Sequence, residues 1–348
     1  MKKTLIALAL VSLPVAASAE VILYGNIRGG VEFTREGTSA QTKSQRNAWG
    51  VVDYGSYIGF KGSEDLGGSL KAIWQVEANT SLGGGSFVNN RDTFIGLEGG
   101  FGTVKLGRVS TPLKRAVDAQ DIWEHKSHVL GLGYYGRFGQ RRTSLNYQSP
   151  DFGGFDFAFQ MAPGSNVRGG RTNDGKPVFG LGLGYKNSGF FARYAVEYAR
   201  KSTSTPGGLK DSHVHNLSAG YDANNLYVAG GIQYGKNVSP VGGDDIDIAT
   251  QTQDKAKTAE VQLSAAYTFG AVTPKVTVAY GRVKAVDDPT ATVKYDGGRY
   301  LQAVVGADYA FSRRTTGLVS VGWLREKANS DAKNVNNWGV GTGLVHKF

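Results

Sequence analysis

Apolar and polar side chains alternate with a period of two from Val21 to the C-terminal Phe348, and few folds accept that pattern over so long a chain. Val21, Leu23, Ile27, Val31 and Phe33 share one parity, while Asn26, Arg28 and Glu32 share the other. Leu70, Ala72, Trp74 and Val76 stand against Lys71, Gln75 and Glu77. Val261, Leu263, Ala265, Tyr267 and Phe269 stand against Glu260, Gln262, Ser264 and Thr268. Successive side chains of a strand point to opposite faces, so each run reads as a strand with one apolar and one polar face. The longest apolar run, residues 4–13, falls short of the roughly 20 residues a helix needs to cross a bilayer.

The connections alternate as well. Short turns such as 99–102, 186–189, 222–225, 270–273 and 312–315 take turns with long polar segments such as 79–90, 201–212, 235–258 and 284–298; the longest is about 109–140. Fifty Gly and nine Pro residues suit many extended segments joined by tight turns. Sixteen segments are read, from 21–33 and 46–62 through to 316–324 and 337–348. The expected fold is an all-β, 16-stranded antiparallel transmembrane β-barrel with short periplasmic turns and long extracellular loops. A soluble sandwich or β-helix also alternates. Against it, the apolar faces end in aromatics: Tyr147, Tyr185, Tyr221, Tyr267 with Phe269, and Tyr309 with Phe311. That arrangement suits the aromatic girdles of membrane barrels.

Lys2 and Lys3, the apolar run, Pro14 and Ala17-Ser18-Ala19 form a secretory signal peptide over residues 1–19, leaving 20–348 as the barrel. Its removal lowers the net charge from +10 to +8. The absence of Cys excludes thiolate nucleophiles, Cys-bound zinc, iron–sulfur clusters and disulfides. No cofactor is expected.

Several stretches resemble the general bacterial porins of Gram-negative organisms, closest to the neisserial type. They include Val21-Ile22-Leu23-Tyr24-Gly25, Gly59-Phe60-Lys61-Gly62-Ser63-Glu64-Asp65-Leu66-Gly67, Ser149-Pro150-Asp151-Phe152 and Val345-His346-Lys347-Phe348. The resemblance implies a homotrimer in outer-membrane lipid and passive diffusion of ions and small hydrophilic solutes. It also implies a third loop folded inward to narrow the pore. A terminal Phe348 on an alternating strand resembles the signal read by the outer-membrane barrel assembly machinery.

Charged residues within strands face the lumen by default, because Lys or Arg facing lipid at the midplane costs about 2–4 kcal/mol. Arg28, Lys61, Lys71 and Arg91 lie on consecutive strands and form an expected basic wall, which Arg142 extends; a solvated charge without influence on selectivity is the alternative for each. The resemblance sets loop carboxylates opposite such a wall, and Asp118, Asp121 and Glu124 are the candidates. Where relatives carry Arg before the Tyr of Tyr-x-Ser-Pro, this chain has Asn146. The expected function is an outer-membrane pore with modest anion preference. A substrate-selective channel for sugars or carboxylates, and a non-conducting adhesive β-protein, are the alternatives.

Other motifs carry less. Gly131-Leu132-Gly133-Tyr134-Tyr135-Gly136 has dinucleotide-loop spacing but no acid about 20 residues on, and reads as a flexible loop. His213 and His215 share a strand face without a third metal ligand nearby. His125 and His128 have no adjacent nucleophile, so no enzyme is expected. The basic residues are dispersed and no nucleic-acid module is present, so no nucleic-acid partner is expected.

Overall fold

The computed structural model describes residues 20–35, 37, 47–84, 91–123, 125, 127–164, 175–200, 211–238, 256–285, 297–328 and 333–348. The signal-peptide reading of residues 1–19 and the candidate Glu124 lie outside them. The strands are β1 (Glu20–Arg35), β2 (Asn47–Asp53), β3 (Tyr57–Gly67), β4 (Leu70–Asn79), β5 (Thr93–Gly99), β6 (Gly102–Ser110), β7 (Arg141–Gln148), β8 (Phe155–Gly164) and β9 (Gly175–Asn187). They continue as β10 (Phe190–Ala199), β11 (Ser212–Ala223), β12 (Leu226–Val238), β13 (Ala256–Tyr267), β14 (Val272–Ala285), β15 (Arg299–Ala310), β16 (Thr315–Lys327) and β17 (Val335–Lys347). β2 and β3 both pair antiparallel with β1, every other strand pairs antiparallel with its chain neighbour, and β17 returns to β1 with Asn26 opposite Lys347 and Arg35 opposite Trp338. The ring is therefore closed, and no sheet edge is left to satisfy in hydrocarbon.

β2 and β3 are two halves of one pass, so the barrel has sixteen passes. The sequence reading took residues 46–62 as a single strand. The ladder with β1 breaks because Asp53 turns inward on its own chain, its carboxylate accepting the N–H groups of Gly55 at 2.7 Å and Ser56 at 2.9 Å. Three residues, Tyr54 to Ser56, then face two on β1, and the Ser56 hydroxyl bridges the gap by accepting the Arg28 N–H at 3.0 Å.

Accessibility follows the parity of the sequence. Along β13, Ala259, Val261 and Leu263 are exposed, whereas Thr258, Glu260, Gln262 and Ser264 are buried. The apolar set is outside and the polar set inside, the inverse of a soluble domain. Tight turns close the short end: Ser188 with Gly189 and Asn224 with Asn225 all have positive φ, the conformation of two-residue hairpin loops. An aromatic belt rings that end through the ring pairs Phe155–Tyr185, Phe190–Tyr221, Tyr267–Phe269 and Tyr309–Phe311, with centroids 4.4–4.9 Å apart. The last residue belongs to the wall too, as Phe348 and Gly25 exchange backbone hydrogen bonds at 3.1 Å.

Candidate functional site

The long connection between β6 and β7 enters the barrel. Thr111 caps its helix α1 (Pro112–Asp118), accepting the Lys114 N–H at 3.1 Å, and Pro112 presets the first turn. Leu113, Ala116 and Val117 are buried, and the helix lies against β8–β11. Beyond it, Gln120 bonds to Asn216 at 2.9 Å and accepts from Gln262 at 3.0 Å. The Trp123 indole donates to Thr277 at 2.9 Å. Gln302 reaches the carbonyls of His128, Val129 and Gly131. The segment Gly131–Gly136, expected to be a flexible loop, instead holds a buried helical turn, α2 (Gly133–Gly136).

The seat requires glycine in the wall. A Cβ on Gly231 would stand 1.8 Å from Gln120 Oε1, and one on Gly322 would stand 2.1 Å from the Val129 carbonyl. The strongest anchor is ionic. Arg137 makes a bidentate pair with Glu260, both bonds 2.7 Å, while the Tyr300 hydroxyl donates to the same carboxylate. Burial works against the charge on Arg137, yet Glu260 more than offsets it and the guanidinium pKa is raised. Burial likewise pushes the Tyr134 and Tyr135 phenols up, so both remain protonated donors.

With the loop against β8–β17, open space remains toward β1–β6. A hollow of about 420 Å³ is lined there by Arg28, Arg91, Arg108 and Arg141 of the wall and by Lys114, Asp118 and Asp121 of the loop. The lining holds five cations and two carboxylates. Part of the positive charge is paired: Arg91 with Glu77, Arg141 with Asp92 at 2.7 Å, and Lys114 with Asp118 at 3.1 Å. Arg91 also stacks 4.1 Å from the Tyr57 ring centroid, and the Arg28 guanidinium lies 5.8 Å from it.

The structure divides the expected basic wall. Arg28 and Arg91 line the hollow. Lys61 is exposed beside the Tyr24 ring, four residues along β3 from Tyr57, and does not line it. Lys71 sits opposite Asp65 and Glu98 at the short-turn end of β4. Arg142 is buried behind the loop in an ion pair with Glu197 at 2.5 Å, so it does not extend the wall. The charge facing Asn146 comes from Arg115 of α1, whose Nη2 donates to it at 3.2 Å; burial lowers that guanidinium's pKa.

Sequence reasoning missed Arg108 and Arg141, at the ends of β6 and β7 that flank the loop, and Lys114, which the loop helix carries. It also missed a contact of His125, which sits between Glu32 at 3.1 Å and Ser320 at 2.7 Å. Ser320 is 1% exposed, and the trio clamps the loop to β1 and β16.

A model of the Gram-negative porin family matches residues 29–348. The chain is 42% identical over 353 residues to the major outer membrane protein P.IB of Neisseria meningitidis serogroup A, covering all of both chains. Its fold is similar to an anion-selective porin from Comamonas acidovorans, with TM-score 0.72, 23% identity, and 95% and 100% of the two chains covered. It is also similar to the trimer form of OmpT, an outer membrane protein of Vibrio cholerae, with TM-score 0.66, 12% identity, and 95% and 99% covered.

Proposed function

Since the chain belongs to the Gram-negative porin family and forms an outer-membrane channel for small solutes, we propose that this channel passes ions and hydrophilic molecules chemically unchanged with a modest preference for anions. The observation that carries this reading is the cation-rich lining of the hollow beside the inserted loop, five cations against four carboxylates once the ion-pair partners Glu77 and Asp92 are counted. A sixteen-stranded ring is too wide for side chains to fill, so water occupies the lumen. Solutes cross between the wall that carries Arg28, Arg91, Arg108 and Arg141 and the loop that carries Asp118 and Asp121. Opposed charges set a transverse field that orients dipolar solutes, and the net positive excess concentrates anions.

The functional unit is a homotrimer in outer-membrane lipid, exported with residues 1–19 as a leader and assembled by machinery that reads Phe348. The Vibrio cholerae neighbour in its trimer form supports the oligomer. Reversal potentials across a planar bilayer in a salt gradient test the selectivity. A potential of the anion-selective sign is expected; a cation-selective sign overturns the proposal.

A further inference from the structure

β11 carries the two histidines that share a strand face, and folding brings their rings together. Ser212, Val214, Asn216 and Ser218 of this strand are buried inside the barrel, where Asn216 meets Gln120 of the loop. His213, His215 and the exposed Leu217 have the opposite parity and stand on the outer wall. Nε2 of His215 lies 3.0 Å from Nδ1 of His213, with the rings edge-on at 82° and their centroids 5.0 Å apart.

So short a contact between two ring nitrogens requires a lone pair on one of them, because two N–H groups aimed at each other repel. Ring nitrogens with lone pairs are metal ligands. The spacing also fits two ligands on one ion. With metal–nitrogen bonds of about 2.0–2.1 Å, two imidazole nitrogens stand about 2.9 Å apart at a right angle and about 3.3 Å apart at a tetrahedral one. The observed 3.0 Å is nearer the first value, the tetragonal geometry of copper(II) and nickel(II). Of the divalent first-row ions, copper(II) binds nitrogen sites most tightly.

The surroundings suit an ion there. The Tyr194 hydroxyl lies 2.7 Å from Nδ1 of His215. With the proton on Nδ1, donated to the Tyr194 oxygen, the Nε2 lone pair is left for the ion; outer partners fix the tautomer of ligating histidines in this way. Tyr198 stands directly opposite His213 and Tyr234 directly opposite His215, both exposed on the same face. Exposed aromatics at the end away from the tight turns mark where hydrocarbon gives way to water. Lys236, directly opposite His213, opposes a cation, and the Asp211 carboxylate, two residues before His213 and accepting from Tyr198, offsets it. Among the described residues no three His, Asp or Glu side chains converge as a metal site, so water completes the coordination of the two imidazoles.

We infer that His213 and His215 together bind one copper(II) ion on the outer wall of the barrel, with Tyr194 as the positioning residue behind His215. The ion lies outside the lumen, so its binding is independent of conduction.

The test uses the full chain in detergent micelles at neutral pH, with copper(II) alone as probe and pulsed electron paramagnetic resonance as readout. Two imidazole nitrogens on one ion per chain are expected. His213→Asn and His215→Asn should each weaken binding at least ten-fold and leave at most one imidazole on the ion. His346→Asn, beside Thr315 at the short-turn end, should change neither affinity nor spectrum. A single imidazole in the wild-type spectrum overturns the inference. So do an affinity and spectrum that His213→Asn and His215→Asn leave unchanged, the result expected of copper held adventitiously elsewhere. Should those variants fail to fold, the flanking charges decide: Asp211→Asn should weaken binding and Lys236→Gln should strengthen it, each by about two-fold or more. No shift in either overturns the inference. Single-channel current should be indifferent to copper, and a copper block that the histidine variants abolish would place the pair in the lumen and overturn it.

Discussion

Replacing Arg28 with Gln removes one positive charge from the lining of the hollow and leaves a side chain of similar reach. An ion passing about 6 Å from the guanidinium interacts with it by about 0.7 kcal/mol at the dielectric of water. A Debye length of about 10 Å at 0.1 M salt reduces this to about 0.4 kcal/mol. The anion loses that much and the cation gains it, so the permeability ratio moves by about 0.8 kcal/mol, or roughly four-fold toward cations. Lys71 supplies the contrast. It lies eight residues along β4 from Asn79, which lines the hollow, and so about 27 Å away at 3.4 Å per residue. At nearly three screening lengths its charge is not felt there. Reversal potentials of Arg28→Gln and Lys71→Gln in planar bilayers should therefore differ, the first shifted and the second matching wild type. A Lys71→Gln shift as large as that of Arg28→Gln would refute this placement of the constriction.

Other consequences follow from the loop. Glu260→Gln leaves the buried Arg137 without its charged partner, a change that costs about 3–5 kcal/mol. The barrel should keep its heat-modifiable migration while single-channel traces gain fluctuating sublevels; quiet traces would show that the pair does not hold the loop. Gly231→Leu places a side chain where Gln120 sits, so trypsin should cut at Lys114 or Arg115 in the variant and not in the wild type. Resistance in both would show that the wall tolerates bulk at this point. Deleting Phe348 removes the last backbone pair with Gly25 and the proposed assembly signal, so the folded fraction recovered from membranes should drop several-fold, and an unchanged yield contradicts that role.

Strand positions and the sidedness of Val261 against Glu260 were legible because period two is a local property of the sequence. The break at Tyr54–Ser56 was not, since it depends on one carboxylate, Asp53, capturing two backbone N–H groups. The expected wall was read from parity alone, which carries no depth. Parity says that Lys71 and Arg28 point inward; it does not say how far apart along the pore they stand. The ion pair of Arg142 could not be read locally, because its partner Glu197 lies 55 residues away on β10. Lys114 reaches the hollow only through the path of residues 111–140, which is built from contacts such as Gln120 with Gln262, 142 residues apart, and that path also sets where along β6 and β7 the hollow meets Arg108 and Arg141. No local pattern encodes contacts of that range.

A chain without cysteine allows the alternation itself to be tested one side chain at a time. Lys61→Cys and Val278→Cys, each reconstituted in a bilayer, are treated with a charged, membrane-impermeant thiol reagent. The account predicts that the residue at 61 reacts and that current falls as it does, while the residue at 278 stays unmodified in lipid. Rapid labelling at 278 with a protected residue at 61 would contradict it.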